Sequence, residues 1–248
     1  MSIGLKIDNL PTFNIVPDFN LFVTGGFVRD SLLHIASKDI DIACEAKSFT
    51  EMSDWVEKTH SKVFLSNPEF LTIRALYKKG DARDYVLCRK DGAYSDGRHP
   101  DEVSAGSILD DLSRRDFTIG AMAIDLKTGQ LIDPHGGASD LKQRLIRTVG
   151  RASDRFEEDP LRMLRAIRFA ITKGFFISDE ILNILSNPDW AEKLLTVSSE
   201  RIREEVFKCF VFDTVRSMEF LCSHCSAELK NIIFGNTGIW LKPTMEAR

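Results

Sequence analysis

The 248-residue chain reads as an α+β protein, in which mixed strands and helices give way to helices alone. Three observations predict this. Short runs rich in β-branched and aromatic residues, bounded by turn residues, are interleaved with helical patterns over residues 1–137. From Ala138 onward the apolar residues follow helical spacing. The order, strands first and then a helical run, is not the alternating βαβ of a parallel sheet. The chain therefore divides into a head (1–137), a helical neck (138–197) and a short helical body with its tail (198–248).

In the head, "LFVT" (21–24) predicts a strand running into Gly25 and Gly26, and "FVRDSLLHI" (27–35) a helix. "DIDIA" (39–43) is the next strand and "SFTEMSDWVEKTH" (48–60) a helix capped by Ser or Thr. Residues 71–79 and 83–89 read as a hairpin turning at Gly80-Asp81, and the turn-rich 93–103 as a loop. A short helix over 108–116 precedes a strand, turn and strand over 121–134. Helices follow over 138–145, 160–173, 178–186, 189–195, 199–212 and 213–233, and the tail from Gly235 has turn character.

Composition is that of a globular protein, with 43% hydrophobic and 28% charged residues. No run approaches the ~18 apolar residues of a membrane span, and the first ten residues lack a basic-then-apolar signal pattern. No membrane association and a cytoplasmic location are expected. Five cysteines, an odd count, do not make a disulfide framework. The net charge of −4 excludes a general nucleic-acid coat. Residues 141–173, however, carry nine Lys/Arg against four Asp/Glu. This is either a surface for phosphates or a solvated helical face with ordinary salt bridges.

Four constellations carry chemistry. A strand entering Gly25-Gly26 and then a helix lets the backbone approach an anion, with Arg29 one turn inside to grip a phosphate. Asp39 and Asp41 alternate with Ile40 and Ile42, so both carboxylates share one strand face, where they repel each other unless a cation lies between them. Hard oxygen ligands at this spacing suit Mg²⁺ and phosphoryl transfer, and Asp84 is the candidate third carboxylate. The alternative is an edge strand with solvated charges. In "RRDFTIGA" (114–121), Arg115 can contact phosphate and Asp116 can accept from a ribose hydroxyl; the plainer reading is a helix end decorated with cations.

The fourth is "RFEEDPLRMLRAIRFA" (155–170). Asp159 as N-cap and Pro160 at the first position start a helix whose core stripe is Leu161, Leu164, Ile167 and Ile171. Arg162, Arg165 and Arg168 recur every three residues and are expected as a band along its exposed side. Asp159 can accept from an exocyclic amine while Arg162 donates to a ring acceptor, which selects cytosine and adenine over uracil and guanine. A plain capping Asp with surface arginines is the alternative. "CSHC" (222–225) lacks a second pair at zinc spacing and reads as buried small residues on a helix.

These motifs, "GGFVRD…KDIDIA", "RRDFTIGAMAID…GQLIDPHGG", "DLKQRLIRTVG" and "RFEEDPLRMLRAIRFA", occur in order over residues 20–210. They resemble the class II tRNA nucleotidyltransferase and bacterial poly(A) polymerase family, its CCA-adding members in particular. The resemblance implies a polymerase-β-like nucleotidyltransferase head followed by a helical neck. Its implied activity is template-independent addition of C and A from CTP and ATP to the 3′ acceptor end of tRNA. It further implies Mg²⁺ on Asp39 and Asp41, the triphosphate at Gly26 and Arg29, and sugar and phosphates at Arg115 and Asp116. Asp159 and Arg162, supported by Arg165 and Arg168, would be the protein template. "YSDGRHPDEV" resembles the segment linked in the family to switching between C and A. Poly(A) synthesis, CC-only or A-only addition and a non-catalytic RNA-binding remnant are the alternatives. Two departures stand out. Gly120 replaces the family's Asn, and the sequence stops soon after the neck, so a minimal form, a homodimer or a helper subunit is expected.

Overall fold

The computed structural model describes residues 10–36, 40–78, 81–92 and 101–236. These divide into two compact units, one ending at Leu141 and the other beginning at Lys142.

In the first unit, β1 (Asn20–Thr24) runs through Gly25 into α1 (Gly26–Leu32). β2 (Asp41–Glu45) follows, then α2 (Phe49–Thr59), whose N-terminus is capped by the Ser48 hydroxyl accepting from the Glu51 N–H at 3.2 Å. β3 (Lys62–Asn67), β4 (Thr72–Lys78) and β5 (Asp81–Leu87) form an antiparallel meander. β6 (Arg89–Asp91) and β7 (Val103–Ala105) make a separate two-stranded ladder. α3 (Ile108–Ser113) opens with a Ser107–Asp110 capping box. A 3₁₀ turn (Thr118–Gly120), β8 (Ala123–Asp125), β9 (Leu131–Ile132) and α4 (Gly137–Lys142) complete this part of the chain. The main sheet has the order β3-β4-β5-β2-β1-β8-β9, with β2 and β5 parallel and the other neighbours antiparallel.

Alternation along these strands decides what each face does. Ile42, Cys44, Ile73, Ala75, Tyr85 and Leu87 are buried together against Met52, Trp55 and Val56 of α2. Each large apolar chain so buried contributes about 1.5–3 kcal/mol. The same alternation sends Thr24, Asp41 and Asp84, which are register partners across β1, β2 and β5, to the opposite face. The apolar half of the pattern thus anchors the strands whose polar half builds the site.

In the second unit, β10 (Leu145–Ile146) is followed by α5 (Ala152–Glu158) and α6 (Leu161–Lys173), and β11 (Phe176–Ile177) returns parallel to β10. Then come α7 (Asp179–Ser186), α8 (Pro188–Ala191) and a 3₁₀ turn (Glu192–Thr196). α9 (Ser199–Phe212), α10 (Thr214–His224), α11 (Ala227–Asn231) and a π turn (Ile232–Asn236) follow. The predicted stripe Leu161, Leu164, Ile167 and Ile171 is buried, and α9 packs along α6 through Val206, Cys209 and Phe210. Phe207, Val211, Phe212, Val215 and Met218 of α9 and α10 remain exposed. Among the described residues no helix is long and apolar enough to cross a membrane.

Several elements differ from the expectation. β3 was not anticipated: a bulge between Val63 and Leu65 breaks the alternation, and Phe64 and Leu65 of this edge strand are exposed. α5 was also missed, since Ala152 and Phe156 are its buried residues on an otherwise polar helix. The helix expected over 138–145 ends at Lys142, because Leu145 and Ile146 pair with Phe176 and Ile177. The long helix over 213–233 is broken where Ser226 accepts from the Leu229 N–H and donates its own N–H to the Leu185 carbonyl. The loop at 93–100 and most of the tail lie outside the described residues.

Candidate active site

The site face is built around Gly25. Its φ of +68° and ψ of −128° are a conformation that costs a residue with a Cβ about 1–3 kcal/mol. A Cβ there would lie 3.2 Å from Arg115 Nη1 and 3.5 Å from Asp41 Oδ2. The missing side chain is therefore what lets a guanidinium and a carboxylate flank the same point. Arg115 is held on three sides. Its Nη2 donates to Thr24 Oγ1 at 3.0 Å and to Asp111 Oδ2 at 2.9 Å, and its Nη1 donates to the Gly120 carbonyl at 3.2 Å. Asp116 accepts from the Phe117 N–H at 2.9 Å through Oδ1, the same atom that a Cβ on Gly120 would meet at 3.9 Å.

Asp41 opens β2 and is in direct register with Asp84 on the parallel neighbour β5, so both carboxylates lie on one face. Asp84 Oδ1 also lies 3.5 Å from Arg74 Nε on β4. Asp39 lies outside the described residues. Among the described residues no group of three or more His, Cys, Asp or Glu is placed to hold a metal. Two same-face carboxylates in register, a hard oxygen donor set, fit a divalent cation such as Mg²⁺. Arg29 is fixed by Asp30, with its Nε donating to Oδ1 at 2.8 Å, and a Cβ on Gly26 would lie 3.6 Å from its Nη2.

The remaining predicted site residues belong to the second unit. α6 begins one residue later than expected, at Leu161 with Pro160 in the N-cap position; Asp159 still reaches its first turn, since its Oδ1 accepts from the Leu161 N–H at 3.1 Å, and its Oδ2 accepts from Arg201 at 3.1 Å. The exposed arginine band is corrected. Arg162 is 8% exposed; its Nη1 donates to the Arg155 carbonyl at 3.0 Å and to Glu158 at 2.6 Å. Arg165 is half-buried, and Arg168 is half-buried and paired with Glu205 of α9. Glu158 of α5 and Glu205 of α9 compensate Arg162 and Arg168, which is why α6 can be enclosed on more than its apolar stripe. Of the "CSHC" cysteines, Cys225 is buried as expected while Cys222 is exposed.

Sequence reading missed three supports. Thr24 accepts from Arg115, Glu45 Oε1 accepts from the Ile108 N–H at 2.8 Å and docks α3 on the end of β2, and Asp111 holds two arginines. Asp111 was legible as an acid three and four residues ahead of Arg114 and Arg115. Thr24 and Glu45 meet their partners across long sequence separations and leave no local signal.

A glycine turn feeding an acidic strand at the centre of a mixed sheet is the arrangement of a polymerase-β-like nucleotidyltransferase head. Residues 21–147 match the family described as poly A polymerase head domain, and the chain belongs to it. It is 39% identical over 191 residues to the CCA-adding enzyme of Lactobacillus delbrueckii subsp. bulgaricus, covering 77% of this chain and 46% of that enzyme. With the CCA-adding enzyme of Geobacillus kaustophilus the identity is 37% over 192 residues, covering 77% and 45%. Among solved structures, the Bacillus stearothermophilus CCA-adding enzyme in complex with CTP superposes with a TM-score of 0.72 at 32% identity, over 89% of this chain and 52% of that one. The Thermotoga maritima CCA-adding enzyme complexed with tRNA-CCA gives 0.69 at 30% identity, over 92% and 51%. The chain thus spans about half the length of the relatives it matches.

Proposed function

We propose that this chain adds C and A nucleotides to the 3′ end of tRNA from CTP and ATP, releasing pyrophosphate. The observation that carries the reading is Arg115 and Asp41 flanking Gly25, with Asp84 in register beside Asp41. Its context is a family whose relatives include CCA-adding enzymes in complexes with CTP, ATP and tRNA-CCA. In this reading the RNA 3′-hydroxyl attacks the α-phosphate in line, and the bond to the pyrophosphate breaks. Arg29 and Arg115 bind and orient the phosphates, each guanidinium pre-set by its own acid, and Asp116 takes the sugar hydroxyl. Asp41 and Asp84, with Asp39, would hold Mg²⁺, which when bound supplies charge neutralisation for the hydroxyl and the leaving group.

The first unit is assigned as the catalytic head. The second is assigned as a neck, to residue 197, and a short helical body from residue 198. Asp159 and Arg162 are assigned as the protein template for C and A, supported by Arg165 and Arg168. To read a base edge, Asp159 and Arg162 must share or exchange their present partners Arg201 and Glu158. The exposed apolar face of α9 and α10 supports a second copy or a helper subunit as partner, which sedimentation of the purified chain measures. A cytoplasmic location goes with the tRNA substrate.

The decisive experiment incubates the protein with tRNAs ending before CCA, after C and after CC, supplies labelled CTP or ATP, and sequences the products. No incorporation at any Mg²⁺ concentration refutes the proposal. Long A-tails on unstructured RNA would reassign the chain as a poly(A) polymerase.

A further inference from the structure

Asp111 is 1% exposed, and its two oxygens are divided between two guanidinium groups. Oδ1 accepts from Arg114 Nε at 3.0 Å and from its Nη2, while Oδ2 accepts from Arg115 Nη2 at 2.9 Å and Nε at 3.3 Å. Burial opposes its charge, but Arg114 and Arg115 outweigh burial and hold the carboxyl below its usual range. Arg114 Nη1 in turn lies 3.9 Å from Asp91 Oδ2, at the end of β6. A purely structural acid on α3 could pair with either arginine alone. This one splits its charge so that Arg114 braces one side and Arg115 is aimed from the other, toward Thr24, the Gly120 carbonyl and Asp41.

We infer that Asp111 is a positioning residue: through one carboxylate it fixes the plane of the Arg115 guanidinium beside Asp41, with Arg114 and Asp91 bracing that carboxylate. The inference rests on the proposal that Arg115 contacts the nucleotide. An Asn at this position presents one oxygen and one NH₂ to two guanidiniums, so one of them faces a donor. The charge that keeps two neighbouring cations together is lost as well.

The test measures CTP affinity and the exchange of the Arg115 Nε–H by NMR on the full chain, with thermal melts confirming the fold. Asp111→Asn should weaken CTP binding about 10- to 100-fold and speed the exchange. Asp111→Glu should recover part of both. In an Arg115→Ala background, Asp111→Asn should change CTP affinity by less than about twofold, because there is no longer a guanidinium to position. Equal losses in both backgrounds, or an unchanged Nε–H exchange, overturn the inference. If the wild-type chain binds no CTP, the functional proposal fails and the exchange measurement alone decides the positioning role.

Discussion

Gly25→Ala separates a turn from a site. Two costs are readable in the geometry. The backbone at φ +68°, ψ −128° penalises any Cβ by about 1–3 kcal/mol. At roughly 3 °C per kcal/mol for a unit of this size, melting should fall by about 3–9 °C. The second cost is local: the new methyl would sit 3.2 Å from Arg115 Nη1 and 3.5 Å from Asp41 Oδ2, so the guanidinium must give way by a few tenths of an ångström. A misplacement of about 1 Å costs up to about 100-fold in rate, so a shift of a few tenths of that should lower kcat/KM by about 3- to 10-fold. Gly129→Ala is the control. It also has a positive φ, +70°, but nothing lies within 4 Å of its Cβ. It should lower the melting temperature without touching turnover. Steady-state CTP and ATP incorporation with thermal melts on both variants decides the matter. Equal melting losses with turnover retained in both would reduce Gly25 to a turn residue and refute the reasoning.

Asp41→Asn should bring incorporation to background while leaving the metal-free melting temperature unchanged or slightly raised, since it removes one of two like charges in register on β2 and β5. Added Mg²⁺ should raise the melting temperature of the wild type but not of this variant. Gly120→Asn should be accommodated, because the added Cβ meets Asp116 Oδ1 alone, at 3.9 Å. A gain in kcat/KM of about 2- to 10-fold is expected from one restored amide near the sugar position, and a loss would count against that position for the sugar. Burial holds His60 below its usual range, against the Val56 carbonyl bond that raises it and with the Arg83 charge that lowers it. The unfolded chain therefore takes up a proton near pH 6.5 while the folded one does not. Stability should be full above that pH and fall as pH drops below it. Melting curves for His60→Gln should be flatter over this window, and parallel slopes would exclude His60 as the titrating group.

What could be read from the sequence was set by distance along the chain. Gly25 to Arg29 span one helical turn, Ile42 and Cys44 alternate within one strand, and Leu161 to Ile171 follow one helix face. Each is a pattern whose partners are local, and each gave its element, although α1 stops at Leu32 instead of reaching Ile35 and β2 runs Asp41–Glu45 instead of 39–43. β3 failed because its bulge shifts the alternation by one residue, which no period-2 template tolerates. The 213–233 helix failed because its break is stabilised by the Leu185 carbonyl, 41 positions upstream of Ser226.

The arginines of α6 make the same point for charge. A charged residue is read as exposed because burying it unpaired is costly, and the rule holds only while its partners are unknown. Glu158 sits one turn from Arg162 and was within reach of a sequence reading; Glu205, 37 positions from Arg168, was not. Arg115 shows how both cases meet in one group. Asp111 is local to it and Thr24 is 91 positions away. The local partner aims the guanidinium along α3, and the distant one brings it to the strand end where Gly25 and Asp41 lie. A site made from such groups shows its residue types in the sequence, whereas its geometry depends on the register of β1, β2 and β5. That register is set on the other face of the sheet, by Ile42, Tyr85 and the helix packed over them.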